Sequence, residues 1–203
     1  DAEAGTVFYA LAAVKGVGRQ AMDHVVEIRT AGGPFKSISD FARRVDPKLV
    51  NKRAFENLVR AGAFDSLNKN RRQLVENSDR ILGGAQAAAR ERESGQVSLF
   101  GGTPQEELRL TSIPDWPVHE RLSEEFSAMG FYLSGHPLDA YGSALKRLGA
   151  TTYASLTEDR RAGFKAKIAG NMSKKSERRG RHDQNYAFVS FSDPTGSFAV
   201  HMF

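Results

Sequence analysis

Leu11-Ala12-Ala13-Val14-Lys15-Gly16-Val17-Gly18-Arg19-Gln20-Ala21 sets glycine, one apolar residue and glycine between two stretches able to form helix. Glycines suit a connection that must turn tightly and let backbone N–H groups approach another molecule closely. The helix that follows would present the positive end of its dipole to the same point. Phosphate is the natural occupant, and Lys15 and Arg19 add charge beside Gly16, Val17 and Gly18. This is the pattern of a helix-hairpin-helix. The other reading is a plain turn between two helices closed by a glycine cap.

Outward from this point the chain reads as helix. Met22, Val25, Val26 and Ile28 recur at helical spacing until Gly32-Gly33-Pro34 stops them. Ser37 with Asp40 three residues on is an N-cap signal, Phe41 and Val45 give that short helix an apolar side, and Asp46-Pro47 breaks it. Asn51 is set to cap the next, whose stripe is Ala54, Phe55, Leu58 and Val59, with Gly62 at its end. Leu58-Val59-Arg60-Ala61-Gly62-Ala63-Phe64-Asp65 reads as a weaker second hairpin. Its Gly62 answers to Gly16, but Phe64 stands where the first copy has Gly18. The loss should impair close approach to phosphate and favour a packing role. Arg60, Gly62, Arg71 and Arg72 remain candidate backbone contacts. A further helix begins near Arg71 and is expected to break at Gly83-Gly84 before an Ala-, Gln-, Arg- and Glu-rich stretch to Glu93.

From Gly95 to Pro117 glycine, proline, threonine, serine and acidic residues dominate, the composition of a linker. Gln96-Val97-Ser98-Leu99-Phe100 stands out within it. Two large apolar residues in such a segment suit a short peptide that docks in a pocket, with Leu99 and Phe100 as anchors and Gln96 bonding through its amide. Folding back on neighbouring helices is the equal alternative. Helical periodicity returns with Leu122, Phe126 and Met129, and Leu138–Leu148 is expected to form one helix with Tyr141, Leu145 and Leu148 inward.

Beyond Gly163 the period becomes two. Phe164, Ala166 and Ile168 read as a first strand, Lys174 to His182 as a basic loop, Tyr186 to Phe191 as a second strand. Asp193-Pro194-Thr195-Gly196 is a turn, and Ser197 to Phe203 a third strand. Strand, long basic loop, strand, turn, strand resembles the start of an OB-fold, in which Lys174, Lys175, Arg178 and Arg179 would meet nucleic acid and Tyr186, Phe188 and Phe198 would stack on bases. A solvated hairpin loop is the alternative. Three strands fall short of the five that close such a barrel.

Composition bounds the function. The 203 residues are 40% hydrophobic and 26% charged, ordinary for a globular protein, with a net charge of +5 that favours a polyanionic partner. Absence of cysteine excludes disulfides, thiolate metal sites and cysteine nucleophiles and fits a reducing cytoplasm. No signal peptide and no apolar run of about 20 residues is present, so no membrane role is expected. The missing initiator methionine suggests a fragment or a processed chain. Acidic residues are scattered rather than paired for two metals, and His136 beside Gly135 and Pro137 suits a turn better than a catalyst.

Taken in order, the two hairpins, Gly32-Gly33-Pro34-Phe35, Asn51-Lys52-Arg53, Gln96-Val97-Ser98-Leu99-Phe100-Gly101, Met129-Gly130-Phe131-Tyr132-Leu133-Ser134-Gly135-His136-Pro137-Leu138 and Asp193-Pro194-Thr195-Gly196 resemble the alpha subunit of bacterial DNA polymerase III, the replicative form more than the error-prone one. The resemblance implies a C-terminal fragment without the polymerase core, and hence no enzyme in itself. Its fold would be mostly α with a partial all-β segment of three antiparallel strands. It implies a tandem helix-hairpin-helix region over 1–82, a helix and linker carrying the peptide motif over 83–117, a helical connector over 118–159, and the truncated start of an OB domain over 160–203. It implies duplex DNA held by the hairpins, and single-stranded template near the OB domain. The beta sliding clamp would be bound through Gln96, Ser98, Leu99 and Phe100 with Val97 between. Other replicase subunits would be reached through the parent chain. No cofactor is expected here; the parent would use magnesium in a palm domain. The rival class is a stand-alone helix-hairpin-helix and OB repair or adaptor protein, and a third is a purely structural connector.

Overall fold

The computed structural model describes residues 9–94, 107–158, 163, 165–179 and 185–202. Two compact units divide the chain between Phe131 and Tyr132, inside the stretch read from sequence as one connector.

In the first unit a 3-10 turn, Leu11–Ala13, precedes α1 (Arg19–Gly32), α2 (Ile38–Arg44), α3 (Lys52–Arg60), α4 (Arg71–Glu76), α5 (Ser78–Ser94) and α6 (Val118–Met129). The cap signals hold. Ser37 Oγ accepts from the Asp40 N–H and Asn51 Oδ1 from the Ala54 N–H, each satisfying an amide that the helix cannot. Apolar stripes converge on one core in which Phe41, Phe55, Leu74 and Ile81 are almost wholly buried. Phe64 belongs to it too, edge-on to Phe41 at 4.9 Å between ring centroids.

Three local features of this unit depart from or go beyond the sequence reading. The break expected at Gly83-Gly84 is absent: α5 runs through both, and the chain bends at Asn77 instead. Ile81, Leu82 and Ala85 on either side are buried, and that packing outweighs the low helix propensity of two glycines, about 1 kcal/mol each. Gly84 also makes room, since a Cβ there would lie 3.2 Å from a Leu108 methyl. Second, the described end of the linker, 107–117, is strapped along the helices. Asn77 Oδ1 accepts from Thr111 N–H, Ser39 Oγ from Leu108 N–H, and Asn70 Nδ2 donates to Ile113 O. Third, Glu125 on α6 is fully buried, which the stripe of Leu122, Phe126 and Met129 did not foretell.

The second unit carries a 3-10 turn Asp139–Tyr141, α7 (Gly142–Arg147), α8 (Tyr153–Glu158) and a sheet of β1 (Asn171–Arg179), β2 (Asn185–Asp193) and β3 (Gly196–Met202). The sheet is an antiparallel meander in the order β1-β2-β3. Its second turn follows the sequence signal: Asp193 Oδ1 accepts from the Thr195 and Gly196 N–H groups. The overall class is thus mostly helical with a three-strand antiparallel segment, as read. The single helix expected over Leu138–Leu148 is instead a 3-10 turn and a short α7, with Tyr141 and Leu148 largely exposed. Around Ile168 the expected first strand is reduced to one parallel bridge with Thr151.

Candidate nucleic-acid interface

At the first hairpin Val14 and Val17 are buried and pin the loop, while Gly16, Gly18 and Arg19 face solvent. Gly16 adopts φ +74°, a conformation costly for any residue with a Cβ. Gly18 sits at φ −79°, ψ 149°, ordinary extended backbone, and has nothing within 4 Å of where a Cβ would be. Nothing among the described residues therefore requires glycine at 18, and Gly18 is exposed. Among the described residues the N–H groups of Gly16 and Gly18 have no partner, and α1 begins at Arg19 without a side-chain cap or an acidic residue in its first turn. Free amides and an uncapped helix start, next to Arg19, whose 90% exposed side chain lies 3.7 Å from Asp23, make an accessible rim of donors at the positive end of α1.

The hairpin is held from outside. Lys15 N–H donates to Ala128 O, Lys15 Nζ to Ser127 O at the end of α6, and Asn57 Nδ2 donates to Lys15 O. Lys15 thus caps a helix C-terminus in addition to lying beside the loop.

The second hairpin is closed on itself. Gly62 N–H donates to Val59 O and Ala63 N–H to Leu58 O, so the amides that would greet a phosphate are spent ending α3. Gly62, at φ +84°, is glycine for an internal reason: a Cβ would fall 2.2 Å from Arg71 Nη2. Arg71, read as a DNA contact, is only 4% exposed. Its guanidinium grips Asp65 at both oxygens, 2.9 and 2.7 Å, and donates to Arg60 O and Glu125. Burial opposes its charge, but the hydrogen bonds and charge of Asp65 and then Glu125 outweigh that and raise its pKa above the usual arginine value. Arg60, the other expected contact, pairs with Glu124 at 2.7 Å and Glu56 at 3.2 Å. Arg72 is half-buried, its N–H bonded to Asp115. These arginines serve the packing of α3, α4 and α6, a role that requires the fold and is invisible in their spacing. Arg53, exposed on α3 beside Gly16, was missed as a site residue for the same reason.

In the second unit the basic residues lie on a strand, not a loop: Lys174, Lys175, Arg178 and Arg179 belong to β1. Alternation splits them between two faces. Lys174 and Arg178 pair with Ser190 and Tyr186, on the face that also bears Phe188 and His201; Lys175 and Arg179 lie opposite, with Val189. Arg178 stands over the Phe188 ring at 6.0 Å, and Phe188 meets Tyr186 edge-on. Phe198, expected among the base-stacking aromatics, is on the other face and stacks on Tyr153 and Phe191.

His136 is 7% exposed; its Nδ1 accepts the Leu138 N–H, which leaves the proton on Nε2, 3.0 Å from Ser192 Oγ. That tautomer donates to the serine and cannot take its proton, so the pair is structural. Burial lowers the ring's pKa despite nearby Asp139 and Asp193. A depressed histidine contributes stability that is complete above its unfolded value, about 6.5, and is lost as pH falls through the lower folded value. Unfolding midpoints measured from pH 7.5 to 5 should therefore fall with acid, and less steeply in His136→Gln. Parallel slopes would contradict this.

The peptide Gln96–Phe100 lies outside the described residues. Among the described residues no helix is long and apolar enough to cross a membrane.

Comparison with known proteins gives these observations a context. A helix-hairpin-helix motif model matches residues 1–74. DNA polymerase III subunit alpha of Caulobacter vibrioides is 44% identical over 98% of this chain, that of Rickettsia conorii 35% over 98% and that of Pseudomonas aeruginosa 31% over 98%. The chain spans 17–18% of the length of these relatives. Matched almost end to end and carrying the helix-hairpin-helix, the chain belongs, as a stretch of less than a fifth of the relatives' length, to the DNA polymerase III subunit alpha family.

Proposed function

We propose that this stretch holds DNA by its phosphate backbone during chromosomal replication in the cytoplasm, as a non-catalytic part of an alpha subunit. One observation carries the reading: the exposed rim at Gly16–Arg19, with unpartnered amides, an uncapped helix start and empty space beside Gly18. The first hairpin is the DNA contact and the second its packing partner. Magnesium, which the family implies, does not fit the described residues, where no three metal-ligating side chains come together.

The test is fluorescence anisotropy with a labelled duplex. Gly16→Ala would strain the loop and confuse folding with binding, whereas Gly18→Ala meets nothing within 4 Å among the described residues. Gly18→Ala should keep the wild-type melting temperature and bind roughly tenfold more weakly, the scale of one charge-assisted hydrogen bond. Wild-type affinity should fall steeply with salt. Equal affinity in variant and wild type would remove the hairpin assignment.

A second contact in the same reading is the beta sliding clamp, reached through Gln96-Val97-Ser98-Leu99-Phe100 and conferring processivity. Its support is the residue pattern in a Gly/Pro-rich segment within this family. Leu99→Ala/Phe100→Ala should abolish measurable binding in a titration against the clamp, since paired anchors in a pocket contribute several kcal/mol. The face of β1 and β2 bearing Lys174, Arg178, Tyr186 and Phe188 supports an OB-like unit that meets single-stranded template.

A further inference from the structure

We infer that Arg53, from the helix leading into the second hairpin, is the side-chain arm of the first hairpin's phosphate site. The inference rests on the hairpin reading above and adds a residue to it. α3 faces the first loop with two positions one turn apart. Asn57 bonds Lys15 O, and Arg53 lies across Gly16 so closely that a Cβ there would be 3.0 Å from its Nε. Arg53 is exposed, and no carboxylate among the described residues pairs with it. Its neighbours on α3 are committed, Lys52 to Asp79 and Glu56, and Arg60 to Glu56 and Glu124. On the hairpin itself Lys15 is engaged with Ser127 O. Arg53 is thus a cation without a partner among the described residues, laid against a loop whose Gly16 and Gly18 amides have none there either, and a guanidinium offers a planar fork of donors suited to phosphate oxygens.

The arrangement also gives the second hairpin a purpose. Its Gly62 and Ala63 amides are closed, Phe64 is buried where the first copy has Gly18, and Arg71 fills the space at its glycine, so it does not take a phosphate directly. It positions α3, and α3 delivers Arg53 to the first loop. The ligand is a phosphodiester backbone, bound by amides from one hairpin and a guanidinium from the other.

The test measures the 203-residue chain with a labelled duplex across a salt series, comparing wild type, Arg53→Met, Arg53→Lys, Gly18→Ala and Arg90→Met. Arg90 is an exposed arginine on α5 and controls for loss of one positive charge. Arg53→Met keeps most of the stem that covers Gly16, and thermal unfolding checks that it folds. It should bind roughly three- to tenfold more weakly, with the slope of log affinity against log salt smaller by about one. Arg53→Lys should fall between, and Arg90→Met should match wild type. Wild-type affinity and slope in Arg53→Met would overturn the inference, as would an equal loss in Arg90→Met. Weak binding by Gly18→Ala with normal binding by Arg53→Met would sink Arg53 alone. No salt-dependent binding by wild type, or an unaffected Gly18→Ala, would sink the hairpin reading and Arg53 with it.

Discussion

Arg71→Met is expected to lower the stability of the helical unit by about 3–5 kcal/mol, read from urea unfolding at pH 7. Methionine fills the volume of the stem but supplies no donor. Three acceptor groups lose this donor at once: the carboxylate of Asp65, Arg60 O and the carboxylate of Glu125. The last loss dominates. Glu125 is 0% exposed, and a buried carboxylate that loses its cation keeps its charge in surroundings that disfavour it. Asp65 is cushioned, because it is one-third exposed and keeps Arg121 at 3.1 Å. Asp65→Asn should therefore cost clearly less than Arg71→Met. A stability change under 1 kcal/mol for Arg71→Met would show that Arg71 and Glu125 are not coupled as described. DNA affinity of the folded variant should stay near wild type, since Arg71 has almost no surface to offer.

Phe41→Ala is expected to cost a similar 3–5 kcal/mol for a different reason. Phe41 is 2% exposed and joins three other rings: Phe35 and Phe64 edge-on at 5.2 and 4.9 Å, and Phe55 stacked at 6.1 Å. Truncation leaves a cavity walled by aromatics that cannot collapse into it, and removes ring contacts contributing about 0.5–1.5 kcal/mol apiece. Phe41→Leu keeps most of the volume and should lose far less. Equal losses for the two substitutions would mean that the site relaxes and that ring geometry contributes little.

Both residues show how differently sequence reports on core and charge. Phe41 was legible, because an apolar residue after an N-cap signal has one place to go. Arg71 was not. An arginine at a helix start reads as a solvated or phosphate-binding charge until Asp65, Arg60 and Glu125 are brought around it from three elements. The same holds for Lys174 and Arg178. A run of cations between two strand-like stretches reads as a loop, and only pairing with β2 makes it a strand and sends alternate charges to opposite faces.

Local chemistry alone was enough for the helix caps at Ser37 and Asn51, the stops at Gly32-Gly33 and Gly62, the hairpin glycines, the β-turn at Asp193–Gly196 and the family resemblance. Each of these depends on residues within a turn or two of one another, or on their order along the chain. Long-range packing set the rest: the continuity of α5 across two glycines, the burial of Glu125, and the division of labour between two similar hairpins. Gly18 opens outward while Gly62 is filled by Arg71, and two loops alike in sequence differ by which side chain the fold brings to them.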